Sequence, residues 1–326
     1  MTTPEARPTV SLRLSVTDRC QLGCLYCRPA SGSRPPKCTS VSEPISFDDI
    51  AYFVELIQSH FSLSKVHLTG GEPLLRPNLV QLIRLLADQK LDLALTTNAQ
   101  CLEKHASTLK QAGLKRVNVS LDSLNPATFA NMTRGGDIQR TLTGIRQAKE
   151  VKLQPIKLNM TVLRGLNDHE VEDVARYGLR TGCEVRFLEL MPIGPAQDKF
   201  DQFFVSAAEV HKRLAHAFAL KPIEPKPGQS ARRYWAQDSQ GQKGVLGQIA
   251  PYTRPFCQGC RRLRLTSTGQ LITCLASGKA IDLSSWLRQK SSRSERIVKE
   301  IVARELDAKC MRGSFDTGRS MVAVGG

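Results

Sequence analysis

The chain has 326 residues, of which 41% are apolar and 23% charged, and 46 basic against 30 acidic residues give it a formal net charge of +16. This length exceeds what one compact core usually absorbs, so we expect a large domain with a smaller one. No apolar run reaches the length of a membrane span, and the opening MTTPEARPTV lacks the apolar segment of a signal peptide. We therefore expect a cytoplasmic protein, in which cysteines more often hold metal than form disulfides.

The basic surplus has two interpretations. It can form a solvated surface that keeps the protein in solution, or it can serve a polyanionic partner such as nucleic acid, a membrane surface or a nucleotide phosphate. Only 6% of the residues are aromatic, and no basic tract is interleaved with aromatics, which counts against a nucleic-acid groove. We expect no nucleic-acid partner and no membrane association.

Short β-rich runs alternate with stretches of helical spacing over the first 220 residues. The predicted strands are 12–16, 65–69, 91–97, 116–121, 155–162 and 184–190. The first predicted helix begins at Ser46, a candidate N-cap with Asp49 three residues on, and others cover 77–88, 139–150, 168–181 and 206–218. Repeated strand–helix alternation predicts an α/β fold with a parallel sheet, and six units predict an incomplete, TIM-like (βα)6 barrel.

The pattern changes after residue 220. KPIEPKPGQSARR is rich in proline and predicts a domain boundary. Two hairpin-like stretches follow, turning at DSQGQKG and STGQ, and then a helix-rich end over about 281–311. We predict domains of residues 1–220 and 221–326, the second being a smaller α+β unit.

Three cysteines, Cys20, Cys24 and Cys27, follow the first predicted strand. Parallel α/β folds place ligand sites at the carboxyl ends of their strands, and thiolates suit zinc or iron–sulfur clusters. Structural zinc would need a fourth ligand, for which Cys38 is the only nearby candidate. A 4Fe-4S cluster with three protein ligands would instead leave one iron open to a small molecule.

This C-x3-C-x2-C motif, with Tyr26 before its last cysteine, resembles that of the radical S-adenosylmethionine (SAM) superfamily. The resemblance implies that the open iron chelates the amino acid end of SAM and that reduction cleaves SAM to methionine and a 5′-deoxyadenosyl radical. SAM contacts are implied at Tyr26, at Gly71 in LTGGEPLL, at Ser120 in VSLDS and at Met191 in ELMPIG. For the last three, a tight strand–helix turn, a core serine and a packed methionine are the alternatives.

A second triad, Cys257, Cys260 and Cys274, lies in FCQGCRRLRLTSTGQLITCL. It again numbers three rather than four, and a zinc site would have to add Cys310. A turn at STGQ would fold the third cysteine back toward the first two.

Arg262 and Arg264 lie within the same segment, two residues apart. On a strand they share one face, while Leu263 and Leu265 point away. Two guanidiniums beside a metal centre form an anion site, because arginine matches phosphate geometry and stays charged. A solvated basic strand edge is the alternative.

Together with the motifs between them, the two triads resemble the GTP 3′,8-cyclases, the family of molybdenum-cofactor biosynthesis protein A. Matching segments run from LRLSVTDRC through LTTNA and VRFLELMPIG to the terminal GG. The resemblance implies two 4Fe-4S clusters, the second of which keeps an open iron for the purine of GTP. It implies GTP contacts at Arg13, His67, Thr96, Lys157, Arg262, Leu263 and Arg264. It also implies that Gly325 and Gly326 are inserted into the active site for radical transfer.

The implied activity is that of a lyase in the first step of molybdenum cofactor (molybdopterin) biosynthesis. The deoxyadenosyl radical takes the 3′ hydrogen of the GTP ribose, and the ribose radical adds to C8. Uptake of one electron and one proton then gives 3′,8-cyclo-7,8-dihydro-GTP. The product passes to a cyclic pyranopterin monophosphate synthase, and an electron donor of unidentified kind reduces the first cluster. Whether the chain forms a homodimer is left open.

Several positions depart from the family pattern. His67 stands where the family usually has arginine, and a histidine is shorter and can be neutral at pH 7. Ala99 replaces the glycine of TTNG, and Arg28 stands where an apolar residue usually precedes proline. The cysteines that match no motif, and are expected to be packing or surface thiols, are Cys38, Cys101, Cys183 and Cys310.

Two rival functions are kept. A different radical SAM enzyme with an auxiliary cluster, such as a peptide-modifying maturase, would lack the arginine pair and the terminal diglycine. A zinc-stabilised nucleic-acid-binding protein would contain two zincs and neither iron nor sulfide.

Overall fold

A computed structural model describes residues 7–29, 44–226, 228–257, 259–277 and 279–308. Within these ranges the strands are β1 (Thr9–Ser15), β2 (Ser62–Thr69), β3 (Asp92–Thr97), β4 (Arg116–Ser120), β5 (Lys157–Thr161), β6 (Glu184–Leu188), β7 (Ala219–Ile223), β8 (Arg232–Gln237), β9 (Lys243–Ile249), β10 (Arg262–Leu265), β11 (Gln270–Ile272) and β12 (Ile281–Asp282). The helices are α1 (Phe47–His60), α2 (Leu79–Asp88), α3 (Leu102–Gln111), α4 (Pro126–Thr133), α5 (Ile138–Glu150), α6 (Val171–Thr181), α7 (Phe200–Phe203), α8 (Ala207–Ala217), α9 (Ser284–Gln289) and α10 (Ser292–Asp307).

The sheet is built around six parallel strands, β1 to β6, which pair in chain order. Two later strands continue the parallel arrangement, because β10 pairs with β1 and β9 pairs with β6. Antiparallel strands complete the order β12-β11-β10-β1-β2-β3-β4-β5-β6-β9-β8-β7. Since β12 and β7 end the order, the sheet does not close among the described residues, and the predicted incomplete α/β barrel is confirmed.

The chain after residue 220 adds strands at both edges of the six-stranded parallel sheet. Both predicted hairpins form, as the antiparallel pairs β8–β9 and β10–β11. The proline-rich boundary segment differs from the prediction, because its first residues belong to β7. Pro222 is tolerated there because β7 is an edge strand, whose outward N–H groups need no ladder partner. The sheet therefore crosses residue 220, and the division into two domains at that residue stays a prediction.

Short-range signals set the helix starts. Ser46 and Asp49 form the capping box that begins α1, with the Asp49 N–H 3.1 Å from Ser46 Oγ, and Ser206 begins α8 with another. The sequence analysis did not single out α3 or α4, although α4 has a strong start signal in its Asn125 N-cap followed by proline. Among the described residues, no helix is both long and apolar enough to cross a membrane.

Strand alternation separates the core from the barrel interior. Leu12 and Leu14 are buried in the main apolar core, whereas Arg13 between them lines an internal cavity. The same alternation holds in β2, where Val66 and Leu68 are fully buried in the core and His67 lines the cavity. The apolar faces of the strands thus pack against the helices, and their polar faces surround the space inside.

The glycines of LTGGEPLL allow two loops to pack backbone against backbone. A Cβ on Gly71 would lie 2.5 Å from the carbonyl oxygen of Arg19, too close for any real Cβ contact. The Gly71 N–H donates to the carbonyl of Thr17 at 2.8 Å, and the Glu72 N–H donates to that of Arg19 at 2.7 Å. These glycines thus pack against the loop leading to Cys20, and Gly71 also lines the cavity, so its predicted SAM contact stays a prediction.

Replacing Gly71 tests this close approach. We expect Gly71→Ala to lower the free energy of unfolding by about 3 kcal/mol, because the methyl group displaces a neighbouring backbone. Gly165→Ala is the control: Gly165 has a φ of +70° with nothing within 4 Å of an added Cβ, so it should lose only about 1 kcal/mol to backbone strain. Urea unfolding measures both, and equal losses would contradict the packing argument.

Candidate functional site

An internal cavity of about 870 Å³ occupies the barrel interior and extends to the loops at the carboxyl ends of the strands. Its volume lies in the upper range of small-molecule sites. Side chains from each of β1 to β6 line it, together with residues near β9 and β10. The sequence motifs therefore converge on one space, as the parallel topology predicts.

The first triad lies at this cavity, and Cys20, Cys24 and Cys27 all line it and form no disulfide. The loop that carries them is ordered by its own backbone: the Cys27 N–H donates to the Cys24 carbonyl at 2.9 Å. The Leu22 N–H lies 3.4 Å from the Cys20 sulfur, and the Asn98 amide lies 3.7 Å from the same atom. Burial, with Asp122 and the other two thiols nearby, raises the pKa of Cys24 well above its usual value.

The spacing of these thiols bears on the metal they could hold. Within the described ranges, no three His, Cys, Asp or Glu side chains are close enough to hold a single metal ion. Zinc needs its ligands to converge on one point, whereas each thiolate of a cubane binds a different iron. The fourth ligands that zinc would need, Cys38 and Cys310, lie outside the described residues. Three thiols on one loop have the donor chemistry of an iron–sulfur cluster.

Tyr26 connects the cysteine loop to the end of β4. Its hydroxyl donates to Asp122 Oδ2 at 2.7 Å, and the Thr161 N–H donates to Oδ1 of the same carboxylate at 2.9 Å. Burial raises the pKa of Asp122 to about 6 in spite of these hydrogen bonds. Sequence analysis missed Asp122, which lies inside the VSLDS segment. Only its burial, which the structure shows, distinguishes it from other aspartates.

Glu72 makes a similar connection between the ends of β2 and β3. This fully buried carboxylate accepts the Thr97 hydroxyl at 2.7 Å and the N–H groups of Asn98 and Leu74 at 2.8 and 3.1 Å. Burial raises its pKa to about 7. Because Asn98 also contacts the Cys20 sulfur, the LTGGEPLL and LTTNA segments both support the cysteine loop.

Three of the four predicted SAM contacts, Tyr26, Gly71 and Ser120, line the cavity. Met191 follows β6 and is not among the described lining residues; its carbonyl accepts the Ile193 N–H at 2.8 Å. The role of Met191 in SAM binding stays a prediction.

The second triad is only partly exposed to the cavity. Cys260 lines it, Cys257 is exposed, and Cys274 is half-buried. The β10–β11 hairpin turns the chain back, as expected from STGQ, and both Cys260 and Cys274 lie near the guanidinium of Arg264.

The cavity wall is strongly basic. The predicted substrate contacts that line it are Arg13, His67, Thr96, Lys157 and Arg262. Three further basic residues on inward-facing strand positions, which the sequence analysis missed, are Lys65, Arg116 and Arg186. Strand alternation would have found Lys65 and Arg116, because they lie two and four residues from His67 and Ser120, polar positions of the same strands already assigned to the site.

Burial and the crowding of these cations lower their pKa values. Burial, followed by repulsion from Arg262 and Arg186, lowers the pKa of Arg13 to about 9. Burial and Arg186 lower the pKa of Lys157 to about 8. A bound anion would relieve this repulsion, so the interior favours a ligand with several negative charges.

The other two predicted substrate contacts, Leu263 and Arg264, are not among the described lining residues. Leu263 is fully buried in the apolar core, so its side chain faces away from the cavity. Arg264 is buried beside Arg13, with which it pairs in register, and burial with repulsion from Arg13 and Arg262 lowers its pKa. Gly325 and Gly326 lie outside the described residues.

The three departures from the family pattern have distinct surroundings. His67 has a pKa well below its usual value, because burial and the cations Arg13 and Arg116 disfavour its charged form. Ala99 adopts a φ of +61°, the conformation that glycine would take without strain. Arg28 is buried and donates to the Asp18 carbonyl at 2.8 Å, which braces the segment before the first cysteine.

Comparison with known proteins agrees with this site. Residues 14–178 match the model of the radical SAM superfamily, and residues 183–315 match that of Molybdenum Cofactor Synthesis C. A GTP 3′,8-cyclase of Desulforamulus reducens is 39% identical over 320 residues, which cover 97% of both chains, and one of Thermodesulfovibrio yellowstonii is 38% identical over the same shares.

Among solved structures, Streptococcus suis SuiB bound to S-adenosylmethionine is similar in fold. The TM-score is 0.58 at 12% sequence identity, and the match covers 90% of this chain and 68% of that one. At this identity the likeness supports the fold alone. The matched family models and the full-length relatives establish more, and the chain belongs to the radical SAM superfamily, within the family of the GTP 3′,8-cyclases.

Proposed function

We propose that this chain converts GTP to 3′,8-cyclo-7,8-dihydro-GTP in the first step of molybdenum cofactor biosynthesis. The observation that carries the proposal is one cavity lined by the first cysteine triad, by Cys260 of the second and by a basic wall between them. Relatives that match nearly the whole chain are named GTP 3′,8-cyclase. The cations suit a triphosphate, because arginine and lysine bind phosphate oxygens through charge-assisted hydrogen bonds.

The first triad would hold the cluster that binds SAM. As a radical SAM protein, the chain uses SAM and an iron–sulfur cluster; when bound, they supply the 5′-deoxyadenosyl radical. Tyr26, Gly71, Ser120 and Met191 would contact SAM, and the Tyr26–Asp122 hydrogen bond would fix the ring of Tyr26 against the cysteine loop.

The second triad would hold a second 4Fe-4S cluster near the purine of GTP. Arg13, Thr96, Lys157 and Arg262 would position the nucleotide between the two clusters, and all four line the cavity. Arg264, which pairs with Arg13 in register, would hold the second cysteine segment and add positive charge to the site. Gly325 and Gly326 would take part in radical transfer.

The position of the cavity inside the barrel suits radical chemistry, because the surrounding strands limit the access of water to a reactive intermediate. An external electron donor, a downstream cyclic pyranopterin monophosphate synthase and a homodimeric state belong to the same proposal. The peptide-maturase alternative is less favoured, because a peptide offers no triphosphate to the basic wall.

Reconstitution under anaerobic conditions tests the proposal directly. With iron, sulfide, SAM, GTP and a reductant, we expect about eight irons per chain and a product with the mass of GTP. This product should be separable from GTP by chromatography. Replacing Cys257, Cys260 and Cys274 with alanine should leave about four irons and abolish the product. Cys101→Ser, at a cysteine outside both triads, should behave as the unaltered protein; zinc in place of iron would refute the proposal.

Arg264 offers a separate test of the nucleotide end. We expect Arg264→Ala to weaken GTP binding at least about tenfold, because a buried guanidinium that supports the anion site is lost. The first cluster, measured by its visible absorbance, should be retained, since Arg264 lies beside the second triad. Equilibrium dialysis with labelled GTP provides the affinity, and an unchanged value would reject the role assigned to Arg264.

The lowered pKa of Lys157 predicts a pH dependence. With a pKa of about 8, Lys157 is largely charged at pH 7 and loses its proton as the pH rises, while the phosphates of GTP stay ionised. GTP affinity should therefore fall between about pH 7 and pH 8.5. Lys157→Arg keeps its charge over that range and should flatten the fall, whereas the same fall in this variant would exclude Lys157 as its source.

A further inference from the structure

One row of inward-facing residues crosses four neighbouring strands. In the register of the sheet, Arg13 pairs with His67, His67 with Ala94, and Ala94 with Arg116. Ala94 is small and fully buried, so its side chain leaves space between those of His67 and Arg116. The side chains of His67 and Arg116 both line the cavity on either side of it.

His67 brings no charge to this row at neutral pH. Burial and the cations Arg13, Arg116, Lys65 and Arg262 hold its pKa well below its usual range. Its Nδ1 is buried without a hydrogen-bond partner. A buried polar atom left unpaired is costly, so the site is arranged for a group that occupies the cavity.

Arg116 is oriented by an ion pair and still has a free donor. Its Nη1 lies 2.6 Å from Asp92 Oδ2, and the same carboxylate oxygen lies 4.0 Å from Lys65 Nζ. Its Nη2 is buried without a hydrogen-bond partner. Its side chain is only 13% exposed, so water competes little for this donor. Two cations share one carboxylate, which leaves net positive charge here for an anion.

We infer that Arg116 is a substrate-binding residue, whose Nη2 donates to a phosphate oxygen of the nucleotide and which supplies at this row the positive charge that His67 lacks. The inference rests on the proposed function, because it takes the anion to be the triphosphate of GTP. His67 then serves as a neutral hydrogen-bonding neighbour of the same group.

The arrangement also explains why a neutral residue is tolerated at position 67. An arginine there would place a second guanidinium beside Arg13 and near Arg116, and like charges in a buried site disfavour each other. With the charge carried two strands away by Arg116, and anchored by Asp92, the row keeps a cation with less repulsion. Moving the charge back to position 67 should therefore compensate for the loss of Arg116.

GTP binding by a set of variants tests this compensation. Equilibrium dialysis of the anaerobically reconstituted protein measures the Kd for GTP and for guanosine, which lacks phosphates. We expect Arg116→Ala to raise the Kd for GTP at least about tenfold and to leave the Kd for guanosine unchanged. His67→Arg should improve GTP binding in the Arg116→Ala background but not in the unaltered protein. Arg84→Ala, an exposed arginine on α2, is the matched control and should change neither Kd.

Folding of the variants is checked by cluster absorbance and SAM affinity. If Arg116→Ala leaves Asp92 with only its 4.0 Å contact to Lys65 and fails to fold, the double variant Arg116→Ala/Asp92→Asn removes both members of the close ion pair and carries the test. A Kd for GTP equal to that of Arg84→Ala, or an equal loss of guanosine binding, would overturn the inference while leaving the proposed function intact. Failure of the unaltered protein to bind GTP would overturn both.

Discussion

Repulsion among cations inside the barrel is the constraint on which the site depends. The arginines and lysines that line the cavity are Arg13, Arg28, Lys65, Arg116, Lys157, Arg186, Arg261 and Arg262. Asp122 is the one carboxylate among the described lining residues, and it lies near the cysteine loop. The wall is unfavourable without an anion, because burial and, after it, repulsion from neighbouring cations disfavour the charged forms and lower the pKa values of Arg13 and Lys157. The fold stabilises it with a continuous apolar core outside, so that binding of a polyanion releases the stored repulsion.

The cysteine end is organised by a different device. Loops from three strands are tied to the segment around Cys20 through buried carboxylates and through backbone packing at Gly71. Glu72 connects the ends of β2 and β3, and Asp122 connects the end of β4 to Tyr26. Both carboxylates have raised pKa values because they are buried. The cysteine loop is thus held by hydrogen bonds before any cluster binds.

The sequence predicts the parallel sheet and the positions of the cysteine motifs, and it misses other features of the fold and the site for physical reasons. Strand–helix alternation determines the parallel order, and Cys-rich motifs at strand ends indicate where chemistry occurs. The attachment of β9 and β10 at opposite edges of the six-stranded sheet depends on long-range pairing that local patterns do not encode. Strand alternation from Ser120 could have indicated Arg116, whereas Asp122 was missed because aspartate is common and only its burial distinguishes it. The role of Gly71 in loop packing required the neighbouring backbone to be known.

The central claim is that a SAM-derived radical and the ribose of GTP meet within one cavity. Turnover of GTP carrying deuterium at the ribose 3′ carbon tests it, with mass spectrometry of the 5′-deoxyadenosine that is released. We predict that the 5′-deoxyadenosine acquires one deuterium, because the radical removes the 3′ hydrogen directly. Unlabelled 5′-deoxyadenosine, formed while SAM is cleaved in the presence of the labelled GTP, would contradict the account.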